Sequence, residues 1–237
     1  MLINKKYTLI FSLVFIIIEI TLSTFIQLTS GNINTVLSFF AIVLACIFPL
    51  LFMNKGKKYI YTQIGLICTV LADLFLVVIK PMYQIPAMCF FSITQICYFL
   101  RIYLNQTKDK EKLYHIIIRV ISIIIVLLIT IIVLKDKTDL LSLISMFYYT
   151  NLVINIIYAF IDYKTSLILA IGLLLFACCD LLIGLDILDS TYLEIKEGSL
   201  LYFLCNLGFN LAWVFYVPSQ TLIALSIINK NTLDKNI

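Results

Sequence analysis

The chain has 237 residues, of which 62% are hydrophobic and only 13% charged, and its formal net charge is +4. Soluble domains lie near 45–50% apolar and about 25% charged. No single core hides such an excess, so the solvent for most of this surface is lipid. The positive charge forms no basic face, which argues against a nucleic-acid partner, and seven cysteines without C-x-x-C spacing argue against a zinc site or disulfide framework.

Eight apolar runs reach the roughly 20 residues of a transmembrane helix: 8–28, 34–53, 59–79, 82–104, 113–134, 139–161, 165–188 and 199–228. They are about twice as long as a barrel strand and lack strict alternation. The expected fold class is therefore all-α, an eight-span polytopic protein forming one integral membrane domain over residues 1–237. The first run is too long for a signal-peptide core and precedes no small-x-small cleavage site. It carries Glu19, Ser23 and Gln27 at four-residue steps.

Span three contains "GLICTVLADLFLVV", starting at Gly65, and span seven contains "GLLLFACCDLLIGL", starting at Gly172. Asp73 and Asp180 occupy matching positions in them. Gly65, Thr69 and Asp73 share one helix face, as do Gly172, Phe176 and Asp180. A glycine on that stripe admits a second helix closely, so each aspartate should face protein. The architecture expected is two duplicated four-helix halves in parallel orientation, with the repeat clearest in spans three–four and seven–eight.

Other polar stripes lie between and beyond these motifs. Span four has Ser92, Gln95 and Tyr98. Span five begins with His115, and Arg119 near its inner end is placed to snorkel. Span six has Tyr148, Asn151, Asn155 and Tyr158, and span eight has Asn206, Asn210, Trp213, Tyr216 and Gln220. Such neutral groups commonly serve as interhelical glue worth about 0.6 kcal/mol each. An aspartate at a helix centre is different, at roughly 2.5–3.5 kcal/mol even on lenient scales. Two in matched positions point to function. His115 lies too close to the membrane edge for a nucleophile–histidine triad, and no H-E-x-x-H or P-loop occurs.

Twelve basic residues (Lys5, Lys6, Lys55, Lys57, Lys58, Arg101, Lys108, Lys110, Lys112, Lys164, Lys230 and Lys235) fall on one side of an eight-span arrangement. Four (Lys80, Lys135, Lys137 and Lys196) fall on the other. By the positive-inside rule both termini are expected in the cytoplasm.

The ordered set "LADLFLVV", "FFSITQICYFL", "GLLLFACCDLLIGL" and "FYVPSQTLIALS" resembles the YhhN-type lysoplasmalogenase family from about Gly65 to Ser226. That resemblance implies a multi-span helical protein, usually of eight helices, in a bacterial cell membrane. It also implies hydrolysis of the vinyl ether bond of lysoplasmalogen, releasing a fatty aldehyde and glycerophospho-ethanolamine or -choline. The family's motif aspartates fall on Asp73 and Asp180. Members often carry histidine where this chain has Gln95, with Tyr98 retained. Glutamine cannot shuttle a proton as imidazole does, which puts an acid–base role there in question.

The chemistry suits two carboxyls on independent grounds. Vinyl ether hydrolysis needs an acid to protonate the β-carbon and an anion to stabilise the oxocarbenium ion and activate water, roles that two carboxyls sharing one site divide between them. The expected catalytic residues are Asp73 and Asp180, acting on a lysophospholipid drawn from the bilayer without metal or cofactor. The expected substrate-binding set is Glu19, Gln95, Tyr98, Asn155, Asn210, Tyr216 and Gln220. The competing readings are a proton-coupled carrier and a non-catalytic homologue.

Overall fold

A computed structural model describes residues 5–52, 57–79, 84–106, 108–187, 196–205 and 209–228. The described residues are almost wholly helical: α1 (Lys5–Leu28), α2 (Gly31–Ile47), α3 (Lys57–Asp73), α4 (Gln84–Tyr103), α5 (Asp109–Leu134), α6 (Leu140–Ile161), α7 (Tyr163–Ile187), α8 (Leu200–Cys205) and α9 (Phe209–Leu225). The chain is a polytopic helical membrane protein. Among the described residues seven helices are long and apolar enough to cross a bilayer. The eighth expected span is described as α8 and the apolar α9, with 206–208 outside the described residues.

Local chemistry sets several boundaries. Asn34 Nδ2 donates to the carbonyls of Ile26 at 2.6 Å and Thr29 at 3.2 Å, closing the end of α1 against the start of α2. Asp139 and Ser142 form a reciprocal capping box that starts α6. Isoleucines on the outer face of α5, among them Ile117, Ile121, Ile124 and Ile132, are exposed as a lipid-facing surface requires. Helix α5 packs extensively only on α6.

The most extensive helix pairings are α7 with α9 and α3 with α4. These are the two pairs in which the sequence repeat is clearest. A Cβ on Gly65 would stand 2.6 Å from Tyr98 Cε1 on α4, and one on Gly172 2.9 Å from Ile223 Cγ1 and 3.1 Å from the Ser219 carbonyl on α9. Thr94 Oγ1 donates to the Gly65 carbonyl at 3.1 Å and lies 3.4 Å from Thr69 Oγ1, which fixes the register of α3 on α4. Helix α9 also packs on α1 and α2, drawing the two ends of the chain together.

Two readings of basic residues need correction. Arg101 is buried rather than loop-exposed, donating to Thr62 Oγ1 at 2.8 Å and to the Ser226 hydroxyl and carbonyl at 2.7 and 2.8 Å. It caps the C-terminal end of α9, where partial negative charge collects. Arg119 does not snorkel; it turns inward and is 7% exposed.

Gly172→Ala places a methyl against helix backbone and should destabilise the protein by about 1–3 kcal/mol. Gly184→Ala, with nothing within 4 Å of its Cβ position, should leave stability unchanged. Thermal unfolding in detergent micelles separates the two.

Candidate active site

Asp73 ends α3 and is 3% exposed; beyond it Leu74–Ile79 continue as a π-helical turn. Such turns are rare and often mark functional positions. The segment LFLVVI holds neither glycine nor proline, so nothing in the sequence announces it. Tyr216 Oη of α9 donates to Asp73 Oδ2 at 2.6 Å. Pro218 lies inside the same helix two residues further on and removes one backbone donor there.

Asp180, partly buried on α7, accepts a hydrogen bond at Oδ2 from Tyr148 Oη of α6. The two aspartate–tyrosine pairs meet around Phe176, one turn before Asp180. Its ring centroid is 5.4 Å from that of Tyr216 and 6.3 Å from that of Tyr148. Phe91 of α4 closes the group at 5.6 Å from Tyr148 and 5.8 Å from Phe176. Each tyrosine holds one oxygen of its carboxyl, and the second oxygen of each is left to interact elsewhere.

A second cluster forms where α4, α5 and α6 meet. Arg119 donates to Asn151 Oδ1 at 2.5 Å and to Asn155 Oδ1 at 2.7 Å. One of its nitrogens is 3.1 Å from His115 Nε2, and its guanidinium carbon lies 4.3 Å from the Phe99 ring centroid. His115 stacks on Tyr158 at 3.5 Å between centroids. Asn155 Nδ2 donates in turn to Gln95, at Oε1 over 3.0 Å and at the main-chain carbonyl over 2.9 Å.

The residues expected to bind substrate therefore divide. Tyr216 joins the aspartates. Asn155 and Gln95 belong to the Arg119 cluster. Tyr98 is wholly buried against Gly65, and Gln220 is buried beside Ser219, its Nε2 3.4 Å from that hydroxyl. Glu19 on α1 is 2% exposed, and among the described residues neither carboxyl oxygen has a hydrogen-bond partner. The side chain of Asn210, like Asn206 and the outer loop around Asp189, lies outside the described residues.

Two contributors were not assigned from sequence. Tyr148 stood on the span-six stripe but was not tied to Asp180. Arg119, placed by the sequence at the inner edge, lies in the interhelical cluster instead. The signal for it was present, because His115/Arg119 and Asn151/Asn155 are both i,i+4 pairs that present two polar groups on one face.

Two carboxyl–tyrosine pairs between the helices of a multi-span bundle define a membrane protein with an intramembrane polar centre. The comparison with protein families narrows this: the YhhN family model matches residues 33–227, and the chain belongs to the YhhN family. Comparisons with curated proteins and with solved structures gave no match.

Tyr216→Phe removes the hydroxyl that Asp73 accepts from and should cost about 1–3 kcal/mol of stability. Asp73→Ala combined with it should be less than additive, because both changes remove one bond. Trp213, the sole tryptophan, lies 5.4 Å from Tyr216 between ring centroids, so its fluorescence follows unfolding at this site.

Proposed function

We propose that the protein is a lysoplasmalogenase-type ether hydrolase that uses Asp73 and Asp180 as its acid–base pair. The observation that carries this reading is the convergence of a buried and a partly buried carboxyl, each oriented by a tyrosine hydroxyl, around the single ring of Phe176. Membership of the YhhN family, which is associated with this activity, supports it.

Two carboxyls sharing one low-dielectric cluster disfavour double ionisation, so in the proposed reaction the pair carries one proton. The protonated member gives its proton to the β-carbon of the vinyl ether, and the ionised member faces the oxocarbenium ion. Water adds to the α-carbon as that carboxylate removes its proton. The hemiacetal then collapses: its hydroxyl proton returns to the first carboxylate, and the second carboxylic acid protonates the departing glycerol oxygen. Aldehyde and alcohol leave, and both groups regain their starting states. The tyrosines hold the carboxyls in position throughout. Glycosidases bring paired carboxyls to a similar oxocarbenium-like transition state.

Purified protein supplied with lysoplasmalogen should release fatty aldehyde. Asp73→Asn and Asp180→Asn should each lower the rate by at least about 100-fold while leaving the protein folded, since general acid–base catalysis contributes roughly 10²–10⁴. Retained turnover in either variant, or proton-dependent flux in liposomes with no aldehyde, would sink the hydrolase reading.

We place both termini in the cytoplasm and the loop around Thr191 outside, from the bias of basic residues. Reporter fusions at Lys235 and near Thr191 should report opposite compartments. The same compartment for both would refute that orientation.

A further inference from the structure

Arg119 is a buried cation in neutral surroundings. Its guanidinium has five N–H donors. Three are engaged by Asn151, Asn155 and His115, its face rests on Phe99, and among the described residues its Nε has no partner. Among the described residues no carboxylate forms an ion pair with it. Arg101 offers a contrast, since the C-terminal end of α9 answers its charge. Holding α5 to α6 does not require a charge at Arg119; a neutral amide would bond the asparagines without the penalty of burying an ion.

The surrounding amides are oriented by necessity. Arg119 has donors only, so Asn155 must present Oδ1 to it, which leaves Asn155 Nδ2 to donate to Gln95 Oε1. Gln95 Nε2 is then a fully buried donor without an acceptor among the described residues. His115 accepts at Nε2, so its proton sits on Nδ1. Half a turn of the Gln106 amide supplies Nδ1–H with Oε1, the one acceptor in this cluster that lacks a partner. What remains unanswered is donors alone, grouped about a positive charge.

We propose that Arg119, with the Gln95 amide joined to it through Asn155, takes the phosphate of a lysophospholipid headgroup. The choice of this lipid rests on the vinyl ether reading above. Asn151 and Asn155 lie three and seven residues from Tyr148 on one face of α6, or about 5–10 Å along the axis at 1.5 Å per residue. In a lysoplasmalogen five single bonds separate the ether oxygen from phosphorus, an extended reach of roughly 6 Å at ordinary bond lengths. Phosphate at Arg119 thus brings the vinyl ether to the level of Asp180 and Tyr148. Because α5 packs extensively only on α6, its displacement opens the cluster sideways to the bilayer.

The test uses the full chain in maltoside micelles, with binding read from Trp213 fluorescence and three probes. These are 1-O-alkyl lysophosphatidylethanolamine, whose saturated ether resists the proposed chemistry, 1-O-alkylglycerol of the same chain, and glycerophosphoethanolamine. The wild type should bind the first at least about tenfold more tightly than the second, as a charge-assisted contact implies. Arg119→Gln should erase that difference without changing affinity for alkylglycerol, and Gln95→Met should reduce it several-fold. Equal wild-type affinity for the first two probes overturns the proposal, whether or not any variant folds. Glycerophosphoethanolamine binding as tightly as the lysolipid also overturns it, by making a soluble phosphoester the occupant. Phosphate-dependent binding without turnover of lysoplasmalogen would remove the hydrolase reading and leave the phosphate site standing. Turnover with phosphate-independent binding would do the reverse.

Discussion

Contact at two glycines governs the bundle. Lipid offers no hydrophobic drive to bring helices together, so close approach and interhelical hydrogen bonds must do it. At Gly65 and Gly172 the partner helix sits where a Cβ would be. Asp73 and Asp180 lie two turns further along the same faces, so the approach that seats the glycines also carries the carboxyls inward. The hydroxyls of Tyr216 and Tyr148 then satisfy groups that lipid cannot. Widening either contact would separate an acid from its donor as well as loosening packing.

The repeat is kept in the helix pairs and broken in the partners. Asp180 is held by Tyr148, from a helix of its own half of the chain, whereas Asp73 is held by Tyr216, from the far end of the other half. Helix α9 packs on α1, α2, α3 and α7, so one of the two acids depends on the closing helix of the sequence. The two matched carboxyls are therefore in unlike surroundings: one nearly inaccessible above a π-helical turn, one partly buried on a regular helix. An acid and a base need such an inequality, and exact duplication would not supply it.

Much of the bundle was legible because lipid imposes a simple rule: a run of about 20 apolar residues is a helix, and a carboxylate within it must face protein. The glycine stripe added which face packs, and Asp73 and Asp180 followed. Hydropathy gives depth along a helix but not the neighbour across from it. That is why Tyr148 went unassigned to Asp180, and why Arg119, nine residues before Leu128 in an isoleucine-rich helix, read as an edge residue. Its partners Asn151 and Asn155 belong to another span, and only the matching i,i+4 spacing hinted at the pairing. The π-helical turn after Asp73 had no sequence sign, because its residues suit an ordinary helix equally well.

Gln95 gains meaning from this arrangement. A histidine there would sit one amide away from a guanidinium, where a second cation is disfavoured and a neutral ring offers one donor and one acceptor. Glutamine keeps both the acceptor that Asn155 requires and a spare donor, and it cannot exchange a proton with either. The chain from Arg119 through Asn155 to Gln95 is consequently fixed in direction, with donors at its end whatever the surrounding pH. In the proposed reaction Gln95 therefore takes no part in proton movement, which falls to the carboxyls. Gln95 thus offers the carboxyl pair no competing base.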